Sequence, residues 1–378
     1  QALTGESSCD YADLGYYVDK FASSFQIPAD AGNFTDEVGR TKQTMCLVGT
    51  YQPFAGQSNC LDADRGHYVE SIGQTLQISC EAGTFQVLTG QIYCNSASLG
   101  HFVSQRGQSN EIPCPPGTFN PILGAISSSF CNEAEPGYFV DDYGQSGQLP
   151  CPLGTYNPNF KATSISDCIS SDVGHYVDQT GQSNQIPCGI GTYNPDRGSQ
   201  FLSDCVDSEP GYFVPMNGSS NQIECAPGTY QPLFGESSCL DAEPGHHVGD
   251  SGAENQSSCG FGEYQPLPGQ LVCLLSGQGY YVDERGLSEA KACPVGTFNS
   301  DEFSTSLSSC VPCPALKSTV NNASTSMSEC LNDLDGDMIP NVLDEDDDGD
   351  GYLDFEDIFP NDAYEWLDSD FDGEGDNS

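Results

Sequence analysis

Apolar positions in this chain come in short bursts. Tyr212, Phe213 and Val214 form one burst, and Thr229 with Tyr230 forms the next; glycine, proline, asparagine or serine soon follows each. Bursts of this length, broken by turn formers, predict short β-strands paired as small hairpins. No segment keeps the spacing of an amphipathic helix. The most apolar run, 271–275, is five residues long and includes Cys273. That is far short of the roughly 20 apolar residues that cross a bilayer, and nothing reads as a signal peptide, so no membrane span is expected here.

The cysteines put these bursts in register. From Cys60 the separations alternate between 20 positions and either 14 or 17, through Cys80, Cys94, Cys114, Cys131, Cys151, Cys168, Cys188, Cys205, Cys225, Cys239, Cys259 and Cys273 to Cys293. A period of 34 or 37 residues is an internal repeat, and each unit reads as two hairpins. In eight second halves a glycine follows the first cysteine by three positions (Gly49, Gly83, Gly117, Gly154, Gly191, Gly228, Gly262, Gly296), with an aromatic two positions on. Glycine there fits a positive φ or a close backbone approach, and the aromatic is placed to cover a disulfide.

The 14- and 17-position forms differ by three residues in the loop before the second cysteine, as in QPLFGESSC against NPNFKATSISDC. A hairpin tip absorbs such a change without moving its ends. This favours the pairs Cys46–Cys60, Cys80–Cys94, Cys114–Cys131, Cys151–Cys168, Cys188–Cys205, Cys225–Cys239, Cys259–Cys273, Cys293–Cys310 and Cys313–Cys330. Pairing across the 20-position segments stays open, because spacing alone does not fix connectivity. Cys9 is left over. Its partner lies upstream in a longer precursor, in another copy of the chain, or within an enlarged first unit carrying about 17 extra residues around 29–43.

Composition then narrows the class. The chain has 378 residues with 42 glycines, 24 prolines and 19 cysteines, and units of about 35 residues are too small to hold a fold by apolar burial alone. Dense cysteines place it in an oxidising compartment, extracellular or at a cell surface. The net charge of −45 repels nucleic acid and anionic lipid, so neither is an expected partner. The chain begins with Gln1, which fits a processed product or an excised piece. Enzyme signatures are missing: there is no P-loop, HExxH or GxSxG, and an array of near-identical units gives no privileged place for one active site. Four of the five histidines, His67, His101, His175 and His246, occupy a slot that tyrosine fills elsewhere, and His247 follows the last of them. All five read as flat packing groups. Sequons at Asn33, Asn217, Asn255 and Asn322 are candidate glycosylation sites.

The CxxGTY pattern with its following loop and cysteine, as in Cys225 to Cys239, and the CVPC step at Cys310 to Cys313 resemble cysteine-rich, ephrin-receptor-like repeats of the GCC2/GCC3 type. The resemblance covers roughly residues 1–330 and implies an extracellular, β-rich rod. It departs in the 20-position GxYVDxxGQSxQxPC segment, where that family usually places its next cysteine two residues on.

After Cys330 the chain turns acidic, with nineteen of its 55 acidic residues and no Lys or Arg in 331–378. Asp333, Asp335, Asp337, Asn341 and Asp344 stand at positions 1, 3, 5, 9 and 12 of a loop, and Asp346, Asp348, Asp350, Asp354 and Asp357 repeat the pattern. Asp368, Asp370, Asp372 and Asp376 begin a third copy, which stops short of its position 12 and implies a product continuing past Ser378. Alternate carboxylates in a tight glycine-containing loop suit calcium, with Ile339 and Tyr352 at position 7 offering backbone carbonyls. The pattern resembles thrombospondin type 3 repeats, without the disulfides of the animal forms.

The expected protein is therefore an all-β or irregular, disulfide-rich, elongated tandem array of small hairpins with a C-terminal acidic calcium-loop module. Its parts are an N-terminal partial repeat with an insertion (1–45), tandem repeats (46–310), a terminal half repeat (311–330) and the acidic module (331–378). The expected role is a stalk, appendage or filament subunit that self-associates end to end or meets other surface proteins. An adhesin or receptor ectodomain is the alternative.

Overall fold

The computed structural model describes residues 10–376; Cys9 lies outside them. Among the described residues the chain is nearly all β: thirty-six strands, mostly two residues long, form eighteen two-stranded antiparallel sheets. There is no α-helix among them, and no helix long and apolar enough to cross a membrane. The chain divides into two compact units, Gln1–Ile186 with Arg197–Leu202 and Pro187–Asp196 with Ser203–Ser378. The same hairpin recurs within each.

The structural period is half the period of the cysteines. Each hairpin but the last opens on a small residue followed three positions later by a positive-φ glycine and then by the first strand; in the last, Cys313 is half-buried and Leu316, at φ 59°, stands in the glycine's place. In the first unit that small residue is Ala29, Cys46, Ala63, Cys80 and Ala97 in turn; in the second it is Ser208, Cys225, Ala242 and Cys259, and all nine are fully buried. Cysteine and alanine or serine thus alternate in one slot of one backbone. The 17 residues from 29 to 45 form one more such hairpin, Asn33–Phe34 with Thr44–Met45.

The two hairpin types are closed differently at the same place. Where the slot holds cysteine, a disulfide closes the loop, as in Cys46–Cys60 with Cα atoms 5.7 Å apart. Among the described residues all nine disulfides join cysteines 14 or 17 positions apart within one hairpin, and none spans a 20-position segment. In most hairpins whose slot holds alanine or serine, a glutamine clasps the next residue along; after Ala97 a glutamate, Glu111, accepts from Ser98 N instead, and after Ser276 the next residue is Gly277, which has no side chain to clasp. Gln77 Oε1 accepts from Asp64 N at 2.6 Å while its Nε2 donates to Asp64 Oδ2 at 2.7 Å. Gln43 with Asp30 and Gln256 with Glu243 repeat the clasp. Gln77→Ala is expected to cost about 1 kcal/mol, read as a lower midpoint of chemical unfolding, because one well-formed hydrogen-bond pair is lost at an exposed site.

The three extra residues of the longer disulfide loops are also accounted for. They wind a single 3-10 turn before the second cysteine, at Ser128–Phe130 before Cys131 and at Ile165–Asp167 before Cys168. Ser164 and Asp167 cap the latter reciprocally.

Backbone hydrogen bonds tie each hairpin to the next. Between 46–62 and 63–79 they run from Ala63 N to Gly49 O, Gly49 N to Val69 O, Gln52 N to Gln74 O and Gly73 N to Cys46 O, at 2.8–3.0 Å. In the second unit, Ala242 N to Gly228 O and Gly228 N to Val248 O repeat the register. Burial beneath this ladder is thin. A column of Val69, Val103 and Val140 alternates with Gln86 and Asn120, and the buried amides are satisfied. Gln86 Nε2 donates to Tyr93 O and its Oε1 accepts from Leu88 N.

Candidate metal centre

The acidic segment is anchored to the last hairpin, Lys317–Thr319 with Cys330–Asn332. Asp333 N donates to Leu316 O at 3.0 Å, and Ser318 Oγ donates to Met338 O at 3.1 Å. The three loops beyond share one hydrogen-bond plan. Position 1 folds the turn: Asp333 Oδ1 accepts from Gly336 N, Asp346 Oδ1 from Gly349 N and Asp368 Oδ1 from Phe371 N. Position 9 closes it. Asn341, Asp354 and Asp376 each accept from the backbone N–H at position 2 (Leu334, Asp347, Ser369), and their own N–H groups donate to Asn332 O, Glu345 O and Leu367 O.

This plan gathers carboxylates. Oxygens of Asp333, Asp335 and Asp337, of Asp346, Asp348 and Asp350, and of Asp368, Asp370 and Asp372 lie within 4.8 Å of one another in each set. The middle set alone has no exposed member, with Asp346 and Asp350 half-buried and Asp348 7% exposed, and Asp357, at position 12, is 8% exposed. Buried oxygens of Asp348, Asp350 and Asp357 have no hydrogen-bond partner. Burial raises the pKa of Asp348, and the charges of Asp350, Asp357 and Asp346 raise it further. Unsatisfied, mutually repelling oxygens with a turn built beneath them are donors of the kind that a hard divalent cation takes.

Other candidate residues fall as follows. Ile339 and Tyr352 donate their N–H groups to Asp337 and Asp350, and Tyr352 stacks on Trp366 with ring centroids 5.3 Å apart. Asp344 accepts from Asp346 N, beside the middle loop. Asp347, which sequence reasoning passed over, is partly buried with an unpartnered Oδ1, and burial raises its pKa. Only the loop closure reveals it, since its position 2 carries no ligand pattern. Asn217 and Asn255 are exposed, Asn33 lies in a strand, and Asn322 Oδ1 accepts from Val295 N at 3.1 Å.

Four histidines are held by local contacts. Nδ1 of His67, His101, His175 and His246 donates to a carbonyl two residues earlier. His247 differs: its Nδ1 lies 3.2 Å from Cys273 Sγ. His247, Cys259 and Cys273 cluster closely enough to hold a metal, but both sulfurs are spent in the disulfide and are not thiolate ligands.

Comparison with known proteins reaches the end of the array. Residues 279–330 match a family described as tyrosine-protein kinase ephrin type A/B receptor-like, across the disulfides Cys293–Cys310 and Cys313–Cys330. No curated protein matches the chain. The disulfide-bonded hairpins at 279–330 are thus similar to an ephrin-receptor-like domain, and hairpins of the same build recur along the rest of the chain.

Proposed function

We propose that this chain is an extracellular structural repeat protein, a stalk, appendage or filament subunit stabilised by disulfides and by calcium. The observation that carries the reading is the repeated junction, in which backbone N–H and C=O groups of one hairpin bond to the next. A fold made of such junctions lengthens by adding units rather than by enlarging a core. The cysteine content and the ephrin-receptor-like likeness of 279–330 support placement outside the cell. In the acidic loops, resembling thrombospondin type 3 repeats, the clustered carboxylates of Asp346, Asp348 and Asp350 and the unpartnered buried oxygens of Asp348, Asp350 and Asp357 support calcium as the ion. Glycans at the exposed Asn217 and Asn255 would suit such a surface.

Electron microscopy of the purified protein in calcium tests the structural role. Linear assemblies that grow with concentration are the expected result. Isolated particles at every concentration would sink self-assembly and favour an adhesin or receptor ectodomain, a reading that the ephrin-receptor-like match also serves.

A further inference from the structure

We propose that Cys259–Cys273 is a thiol-exchange site, at which an external thiolate forms a mixed disulfide with Cys273. The inference stands apart from the structural role and from calcium. It rests on one departure from the repeat. The second residue of the first strand in the alanine- or serine-type hairpins is aromatic: Tyr68, Phe102, Phe139, Phe213 and Tyr281. Phe139 shows what that residue does, since it packs against Cys151 and Cys168 of the hairpin that follows. His247 holds the same place before Cys259–Cys273, and its Nδ1 is 3.2 Å from Cys273 Sγ. An inert apolar cover is replaced by an imidazole.

A disulfide sulfur carries no proton, so this contact is a hydrogen bond with the proton on Nδ1, and the imidazole donates. The cross-strand neighbour differs as well: Phe102 pairs with Ile112, Phe139 with Leu149, Phe213 with Ile223 and Tyr281 with Lys291, whereas His247 pairs with the short side chain of Ser257. Cys273 is half-buried, while Cys259 is fully buried. The reachable sulfur is therefore the one beside the imidazole.

Exchange needs that arrangement. A thiolate attacks Cys273 Sγ, a new S–S bond forms as the Cys259–Cys273 bond breaks, and Cys259 leaves as a thiolate that takes up a proton. The negative charge is shared mainly by the entering and leaving sulfurs during the step, and the N–H dipole of His247, set beside Cys273 between them, stabilises it through space. The co-reactant is a small-molecule thiol or a cysteine of another protein.

The test treats the intact, oxidised chain with glutathione, stops samples by alkylation at timed intervals and quantifies every cysteine in a digest. Cys259–Cys273 is expected to open on the order of tenfold faster than the other eight described disulfides, with glutathione on Cys273. His247→Phe and His247→Tyr restore residues that the slot accepts elsewhere, so both are expected to fold and to erase the difference. Equal opening rates for all nine disulfides, a first adduct on Cys259, or a head start that survives both substitutions would overturn the proposal.

Discussion

Calcium added to the metal-free protein is expected to change the fluorescence of Trp366 and to protect the acidic module from proteolysis. Trp366 is the single tryptophan of the chain and stacks on Tyr352 of the middle loop, so the signal arises where binding is proposed. At a hundredfold excess over the dissociation constant, binding stabilises the module by about 2.7 kcal/mol. Asp348→Asn separates this from nonspecific charge screening, because its effect changes sign. Without calcium the variant is expected to be more stable, since burial and the charges of Asp350, Asp357 and Asp346 disfavour an ionised Asp348. With calcium it should bind at least about tenfold more weakly, about 1.4 kcal/mol. The pH dependence follows the same logic. Asp348's pKa is raised in the folded state, so its contribution is present in acid below the ordinary carboxylate range and is lost as pH rises through the raised value. No fluorescence change up to millimolar calcium would remove calcium from the account.

Gly83→Ala is expected to destabilise the first unit by about 2–3 kcal/mol, measured as the loss in chemical unfolding free energy. Gly83 has φ +84°, where an L side chain is strained. A methyl group there would stand 2.5 Å from Gly124 O, two hairpins further on, and that neighbour is backbone that cannot rotate away. Gly147→Ala is the control. It has no positive φ and nothing within 4 Å of the added carbon, so its stability should change by less than about 0.5 kcal/mol. Equal effects at the two sites would show that hairpins two apart do not depend on this approach.

The sequence made the stapled hairpins easy to see and the unstapled ones hard. A disulfide announces itself in cysteine spacing, so the loop from Cys225 to Cys239 could be read as a closed hairpin. Ala63 and Cys46 share a slot for a reason that spacing does not show: both are small enough for a place with no exposure. Gln77 and Cys60 share a role across chemistries, one closing a hairpin by hydrogen bonds and the other by a covalent bond. For that reason the extra residues around 29–43 showed no hairpin of their own in the sequence, and they lie in one, Asn33–Phe34 with Thr44–Met45. In the acidic module, alternate aspartates were legible as clustered oxygens, and the structure brings 346, 348 and 350 together. The latch made by Asp354, and the burial of Asp347 that comes with it, depend on closure of the loop and leave no periodic trace.

Alternation of covalent and hydrogen-bonded hairpins gives the chain a two-step response to tension. Pulled from its ends, a clasped segment such as Cys60 to Cys80 can open and, with its 20 positions at about 3.4 Å each, extend to at most about 70 Å. The neighbouring loop, Cys46 to Cys60, withholds its length, because its 14 positions are bypassed by a bond between Cα atoms 5.7 Å apart. Extension therefore proceeds in increments set by the clasps and stops well short of the full contour. Reaching the remaining length requires a reductant, so the ceiling on extension is chemical.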